Sequence, residues 1–291
     1  MIAVSRPAIA TPTAFLTAVV LFLVRTNVFI SLATTSVVVS TIVLADLQFE
    51  FLPLFIVFAV TMFVYSFNRL ADRAEDAQNL PGRTSFVQRY GPAMLAFGGL
   101  LYLVAIVIAV VENVPGAPAM VLPLLVAVLY SLVGVKRVLV VKNLVVGLAW
   151  GCLPLGVGVY YGVLWTVDIL FLFVFVTVMI TIAAAIFDIK DIEGDRTQGI
   201  RTLPIVLGVR RTRQFAVGAT VLVSAVLAGL LLSGVLSATY ALLFLFLAYV
   251  LGYSRVARPD RTALFYGFVV DGEHVFLALV LLAAEFLVPS L

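Results

Sequence analysis

Nine apolar stretches, each close to the length that crosses a bilayer, follow one another along this chain. They cover residues 27–46, 50–70, 92–112, 117–134, 143–162, 167–187, 214–233, 236–253 and 263–287. A hydrocarbon core about 30 Å thick takes about 20 residues of helix, and a backbone inside it must satisfy its own hydrogen bonds. The fold class this dictates is all-α: a polytopic integral membrane protein with nine transmembrane helices. The composition agrees, at 64% hydrophobic and 11% charged residues, where soluble domains carry about 25% charged residues. A shorter apolar segment, Ala8–Val24, contains Pro12 and runs into Arg25 with no room for a turn. It reads as an interfacial or re-entrant helix. The chain therefore divides into an N-terminal interfacial segment, residues 1–26, and a nine-helix domain, residues 27–291. The weak basic lead-in and the lack of a small-residue cleavage site argue against a signal peptide.

Charge tests this count. With the N-terminus cytoplasmic, the segments on that side are 1–26, 71–91, 135–142, 188–213 and 254–262, and all 18 Lys and Arg fall in them or at their edges. The opposite loops hold acids such as Asp46, Glu50, Glu112 and Asp168, and no base. That is a one-sided positive-inside pattern, so the net charge of +3 reports topology rather than a nucleic-acid surface. The single Cys152 and single His274 exclude an intrachain disulfide and multi-cysteine or poly-histidine metal sites. Cys152, in "WGCLPLG", reads as a buried, inert thiol. Gly147 and Gly151, and Gly158 and Gly162, have the spacing that lets helices approach closely. Trp150 and Trp165 read as packing or interface anchors, and Asp260 and Arg261 as solvated loop charges.

Two loops on the basic side, 71–91 and 188–213, are long and rich in Gly, Pro, Asp and Arg; long ordered loops usually carry function. Each follows an inward-running span. The first span ends in "YSFNRLADRAEDAQNLPGR", where Asn68, Asp72 and Asp76 stand at i, i+4 and i+8. At 3.6 residues per turn that spacing drifts about 40° per step, so three oxygen-bearing groups share one helix face. The other span ends in Asp188, Asp191 and Asp195, at i, i+3 and i+7. One acidic helix end can simply be solvated. Two matched ends at one membrane depth would repel in a low dielectric and call for a cation between them. Mg²⁺ suits them, as a hard ion that takes carboxylate oxygens and is commonly shared with substrate phosphates. Nearby Arg and Lys could hold the rest of an anionic ligand. The ligand this predicts is a diphosphate on a lipophilic body.

These residues resemble the UbiA superfamily of intramembrane prenyltransferases. The first motif is similar to that family's N-x-x-x-D-x-x-x-D. The second, "DIKDIEGDRTQGIRTLP", resembles its D-x-x-D-x-E-G-D-R-x-x-G-x-x-T-L-P segment, in the form seen in chlorophyll, tocopherol-pathway and archaeal ether-lipid branches. A third stretch, "YSLVGVKRVLVVKNLVVG", resembles the family's Tyr…Lys-Arg…Asn…Gly region. The resemblance implies helices around a central cavity open to lipid, in which Mg²⁺ bridges both Asp motifs to a polyprenyl diphosphate. The diphosphate leaves and the allylic cation alkylates an acceptor. Carried over, Asn68, Asp72, Asp76, Asp188, Asp191 and Asp195 would be the metal set. Arg83, Lys136, Arg137, Lys142 and Arg201 would hold diphosphate, and Tyr130 would line the cavity near the reacting carbon. Arg25, at the start of the first span, would face an acidic acceptor.

The chain departs from the family in its last span, which reads "VVDGEHVF" where many relatives carry Asn. Asp271 and His274, three apart, share a helix face and are expected to pair, as a structural link or as part of the acceptor cavity. Charge at that depth is costly and tends to be functional. The acceptor stays open among an aromatic acid, a quinone precursor, a glycerol phosphate lipid, a carotenoid end and a chlorin. Two other functions fit the same features: an intramembrane terpene cyclase of the same fold, and a membrane transporter. A CDP-alcohol phosphotransferase does not fit, because its D-G-x-x-A-R segment is not found in the sequence.

Overall fold

A computed structural model describes residues 12–71, 81–125, 141–197 and 199–287. Its helices are α1 (Pro12–Arg25), α2 (Val28–Leu44), α3 (Phe51–Ala71), α4 (Pro81–Val111), α5 (Val141–Tyr160) and α6 (Val167–Phe187). They continue as α7 (Ile192–Thr197), α8 (Leu203–Leu207), α9 (Val209–Leu232), α10 (Leu243–Val256) and α11 (Glu273–Leu287). A 3₁₀ turn at Ala238–Leu242 leads into α10, and a π turn at Phe265–Val270 precedes α11. The described secondary structure is helical throughout. Among the described residues, seven spans are long and apolar enough to cross a membrane, or up to eight if the bent pair α1–α2 is one span. The chain is thus an all-α integral membrane protein. The expected fourth span, 117–134, runs into residues outside the described set, so the described helices do not reach the expected nine.

Three boundaries differ from the sequence reading, each for a local reason. Residues 81–91, expected as loop, open α4: Pro81 starts the helix, where its missing N–H costs nothing. Pro92 then sits inside the helix rather than ending it. The segment 188–213 is not a continuous loop but a turn, two short helices and the start of α9. Between α1 and α2 the chain does turn, through 75°. Asn27 makes the turn alone with φ 66°, in the left-handed region that Asn tolerates better than most residues. Its amide donates to Ser66 Oγ at 3.0 Å, and Arg69 at the end of α3 donates to the Arg25 carbonyl at 2.9 Å. These bonds satisfy polar groups that lipid would leave bare.

α6 is heavily enclosed, with Ile169, Met179 and Ile186 fully buried. It packs along α5 because glycines clear the way. A Cβ on Gly147 would collide with Thr181 Oγ1 and Thr177 O, and one on Gly151 with the Thr177 hydroxyl. At Gly158 the approach is less tight: a Cβ there would come within 2.8 Å of Ile169 Cγ2. Inside lipid, such backbone approach and interhelical polar contact replace the hydrophobic drive of soluble cores. Gly162 plays no such part: it makes a turn at φ +71° with open space around it. Cys152 is exposed, contrary to the expected buried thiol. Gly151 takes the side facing α6, and the next residue, about 100° around the helix, looks away from it. Trp150 is buried and Trp165 is 81% exposed, one a packing anchor and the other at the bundle end.

Contacts sort the helix ends onto two faces. The Asp188 end of α6 meets the start of the last span through Phe187 and Tyr266, ring centroids 5.5 Å apart. Arg213, early in α9, donates to the Arg255 carbonyl at the end of α10 at 3.0 Å. Tyr65 on α3 accepts from Trp150 Nε1 on α5 at 3.3 Å. That contact pins two antiparallel helices. From it, α3 runs six residues to Ala71 and α5 runs seven residues back to Asn143, or about 9 and 10.5 Å at 1.5 Å per residue. The Asn68 end of α3 and the Asn143–Asp188 region therefore reach the same level.

Candidate functional site

Sequence chemistry ends α6 where the apolar run stops. Asp188 is its C-cap, and i→i+3 hydrogen bonds from Ile189, Lys190 and Asp191 wind the next residues into a tight turn before α7 begins. The Asp195 N–H then bonds the Asp191 carbonyl at 2.8 Å. This broken path replaces the single straight helix face expected for Asp188, Asp191 and Asp195, and it separates their surroundings. Asp188 and Asp195 are buried, at 3% and 2% exposed. Lys142 Nζ lies 2.7 Å from Asp188 Oδ1 and 3.9 Å from Asp195 Oδ2. Asn143 Nδ2 donates to Asp188 Oδ2 at 2.9 Å. Asp191 is instead chelated by Lys190, at 2.9 and 3.0 Å, and that ammonium also lies 4.5 Å over the Phe187 ring.

Two buried carboxylates converging on one ammonium define a place that selects positive charge. Uncompensated, such a pair would cost several kcal/mol per ion. The donor set is all hard oxygen with one amide, which matches the ligand preference of Mg²⁺. Among the described residues, no three His, Cys, Asp or Glu side chains form a closed metal cage.

The other predicted residues divide as follows. Asn68 lies in the last turn of α3, half-buried and engaged. Asp72, Asp76, Tyr130, Lys136, Arg137 and the Arg83 side chain lie outside the described residues. Arg201 is exposed in the segment between α7 and α8. Arg25 is half-buried at the end of α1. Asp271 is half-buried between the π turn and α11.

His274 is 1% exposed, and neither ring nitrogen has a hydrogen-bond partner. The expected link to Asp271 is not what the ring shows; it stands 3.7 Å from Glu273 Oε1 and rests between the Trp150 and Phe246 rings. Glu273, 1% exposed, accepts at 2.6 Å from the Tyr253 hydroxyl on α10. Sequence spacing missed this pair because its partners are on different helices. It also left Asn143 out of the site, although that residue falls within the third motif stretch. The signal was there: an amide one residue after a lysine, at the start of an apolar span.

A family model described as "UbiA prenyltransferase family" matches residues 28–280. A digeranylgeranylglyceryl phosphate synthase from Natronomonas pharaonis is 58% identical over 31 residues, a match covering 11% of either chain. A solved digeranylgeranylglyceryl phosphate synthase covers 92% of this chain and 96% of its own at 20% identity, with a TM-score of 0.58. A UbiA homologue from Archaeoglobus fulgidus, solved with DMAPP and Mg²⁺, covers 92% of this chain and 99% of its own at 14% identity, with a TM-score of 0.66. At such identities the solved structures speak to the fold, which they share across nearly the whole length. The family match spans the helical domain and both acidic motifs, and on it the chain belongs to the UbiA prenyltransferase family.

Proposed function

We propose that this protein transfers a polyprenyl group from its diphosphate to a lipophilic or aromatic acceptor within the membrane, with Mg²⁺ as cofactor. The observation that carries the reading is the convergence of buried Asp188 and Asp195 on one cation position, held by Asn143 and Lys142. In this reading Asn68 in the last turn of α3, with Asp72 and Asp76 that follow it in sequence, supplies the matching donors, and Asp191 joins Asp188 and Asp195. Mg²⁺ in this place would neutralise the charge that develops on the leaving diphosphate. Asn143 orients Asp188, and Lys142 holds positive charge between the two carboxylates until substrate arrives. Lys136, Arg137, Lys142, Arg83 and Arg201 bind diphosphate oxygens, Lys142 turning to them once Mg²⁺ takes its place between the carboxylates, and Tyr130 presents a π face to the cationic carbon.

The acceptor side of the proposal is the buried polar group around Asp271 and His274, with Arg25 at the cavity edge. Trp150 links it to the metal side: it contacts His274 and lies seven residues along α5 from Asn143. Support for the donor substrate comes from the A. fulgidus homologue, which binds DMAPP and Mg²⁺. Residues 1–26 are proposed to lie in the interface, with the N-terminus and both motifs on the cytoplasmic side, a reading supported by the one-sided distribution of bases. The test is diphosphate release by purified protein given geranylgeranyl diphosphate, Mg²⁺ and a lipid extract. Transfer predicts a prenylated lipid and Mg²⁺-dependent release. A cyclised hydrocarbon formed without acceptor would replace transfer with cyclisation, and no release at all would refute both.

A further inference from the structure

A groove of about 570 Å³ runs between α1 and the segment that joins α10 to α11. Its apolar lining includes Leu16, Val20, Phe265, Phe268 and Val269, and its polar rim carries Arg258, Asp260 and Arg261. The rim residues are exposed. The groove opens on the Asp188 face. The Arg258 carbonyl accepts from the Tyr266 hydroxyl at 2.8 Å, and the Tyr266 ring packs on Phe187, next to Asp188. The apolar lining coincides with the start of the last membrane span, Phe265–Leu287. The groove therefore has charge where the membrane surface lies and hydrocarbon contact just below it.

We infer that this groove binds a bilayer phospholipid with an anionic headgroup. Two guanidinium groups against one carboxylate leave the rim positive, complementary to a phosphodiester. Arg261 is fixed in place, with Nε donating to the Val256 carbonyl at 3.1 Å and Cζ lying 5.4 Å from the Phe265 centroid. That bond uses one of the five guanidinium donors. The acyl chain would follow α1, whose exposed Phe15, Leu16 and Phe22 continue the apolar path. α1 is placed for this by its 75° bend from α2 and by the approach of Val24 to Gly267, where a Cβ would come within 2.8 Å of Val24 Cγ1. Basic pockets at the ends of membrane helices are common sites for anionic headgroups. The inference does not depend on the catalytic reading.

The test uses delipidated full-length protein in neutral detergent, with thermal unfolding and native mass spectrometry as readouts. Phosphatidylglycerol should raise the midpoint and remain bound, phosphatidylcholine should do so weakly, and inorganic phosphate should do nothing. Arg258→Gln with Arg261→Gln should weaken phosphatidylglycerol retention about thirtyfold. Val20→Trp, which obstructs the apolar wall of the groove but keeps both arginines, should abolish retention by itself. Because it leaves the rim untouched, it answers the question even if the double variant folds poorly. Equal stabilisation by both lipids, full stabilisation by phosphate alone, retention in Val20→Trp, or a dimer sealed through this groove would each overturn the proposal.

Discussion

Asp168 and Asp188 stand at opposite ends of α6, and the protein holds them by different chemistry. Asp168, in the first turn, accepts from the Tyr240 hydroxyl at 2.8 Å. On that same face Glu50 accepts from Tyr160 at 2.5 Å, and the Gln48 carbonyl accepts from Tyr161 at 2.7 Å. These are neutral donors on rigid rings, joining short turns to neighbouring helices. Asp188 is held by an ammonium and an amide, Asp195 approaches the same ammonium, and Asp191 has its own lysine. Tyrosine bonds close a structure, since nothing entering can replace them cheaply. Cationic partners mark a place where one positive group can take over from another. One end of the helix is built as a clasp, and the other is the proposed cation socket.

The sharpest break between the two ends should come from losing a socket carboxylate. Asp188→Ala or Asp195→Ala should lower Mg²⁺-dependent diphosphate release by about 10²–10³-fold or more, with the gel-filtration profile in detergent unchanged. Release within twofold of wild type would remove that residue from the site. Lys142→Met comes next. A charge-assisted hydrogen bond contributes about 1.5–3 kcal/mol, so kcat/KM for the prenyl diphosphate should fall about ten- to a hundredfold. Steady-state kinetics at saturating Mg²⁺ would read this, and a gain in activity would recast the lysine as a plug.

Smaller effects should appear in stability rather than chemistry. Gly151→Val forces a side chain into Thr177 on α6, and overpacking of this kind costs about 1–3 kcal/mol. The apparent melting temperature should fall by several degrees, and an unchanged midpoint would mean the α5–α6 seam can part without cost. Tyr240→Phe, at the clasp, should cost about 1 kcal/mol of stability and leave diphosphate release untouched. A large loss of activity there would contradict the division between the two ends.

Most of the apolar spans were legible because lipid permits few solutions, while the helix ends near residues 81 and 188 moved with local chemistry. The α5 glycines were legible for the same reason: a small residue every four positions has one common use in a membrane. What escaped was set by tertiary contact. Nothing in "VRTNVF" marks Asn27 as a left-handed hinge, because the bond that steadies it comes from Ser66 on another helix. The Asp271–His274 pairing was expected from helical spacing, but the ring rests against Trp150 and Phe246 from other helices, and the neighbouring Glu273 bonds Tyr253, 20 residues away. Cys152 looked buried by composition, yet in lipid an apolar neighbourhood does not imply an interior position. Asp260 and Arg261 read as solvated loop charges and are exposed; the groove they border with α1 comes from tertiary packing that no local pattern marks.

The central claim is that the ends of α3 and α6 jointly hold the metal and the diphosphate. It is tested most directly by an experimental structure with Mg²⁺ and a non-ionising thiolo analogue of geranylgeranyl diphosphate. The account predicts metal bound by carboxylates from both ends, Asp72 or Asp76 on one side and Asp188 or Asp195 on the other, with the diphosphate between them. Metal and diphosphate bound away from Asp188 and Asp195, or Asp72 on the opposite side of the membrane, would contradict it.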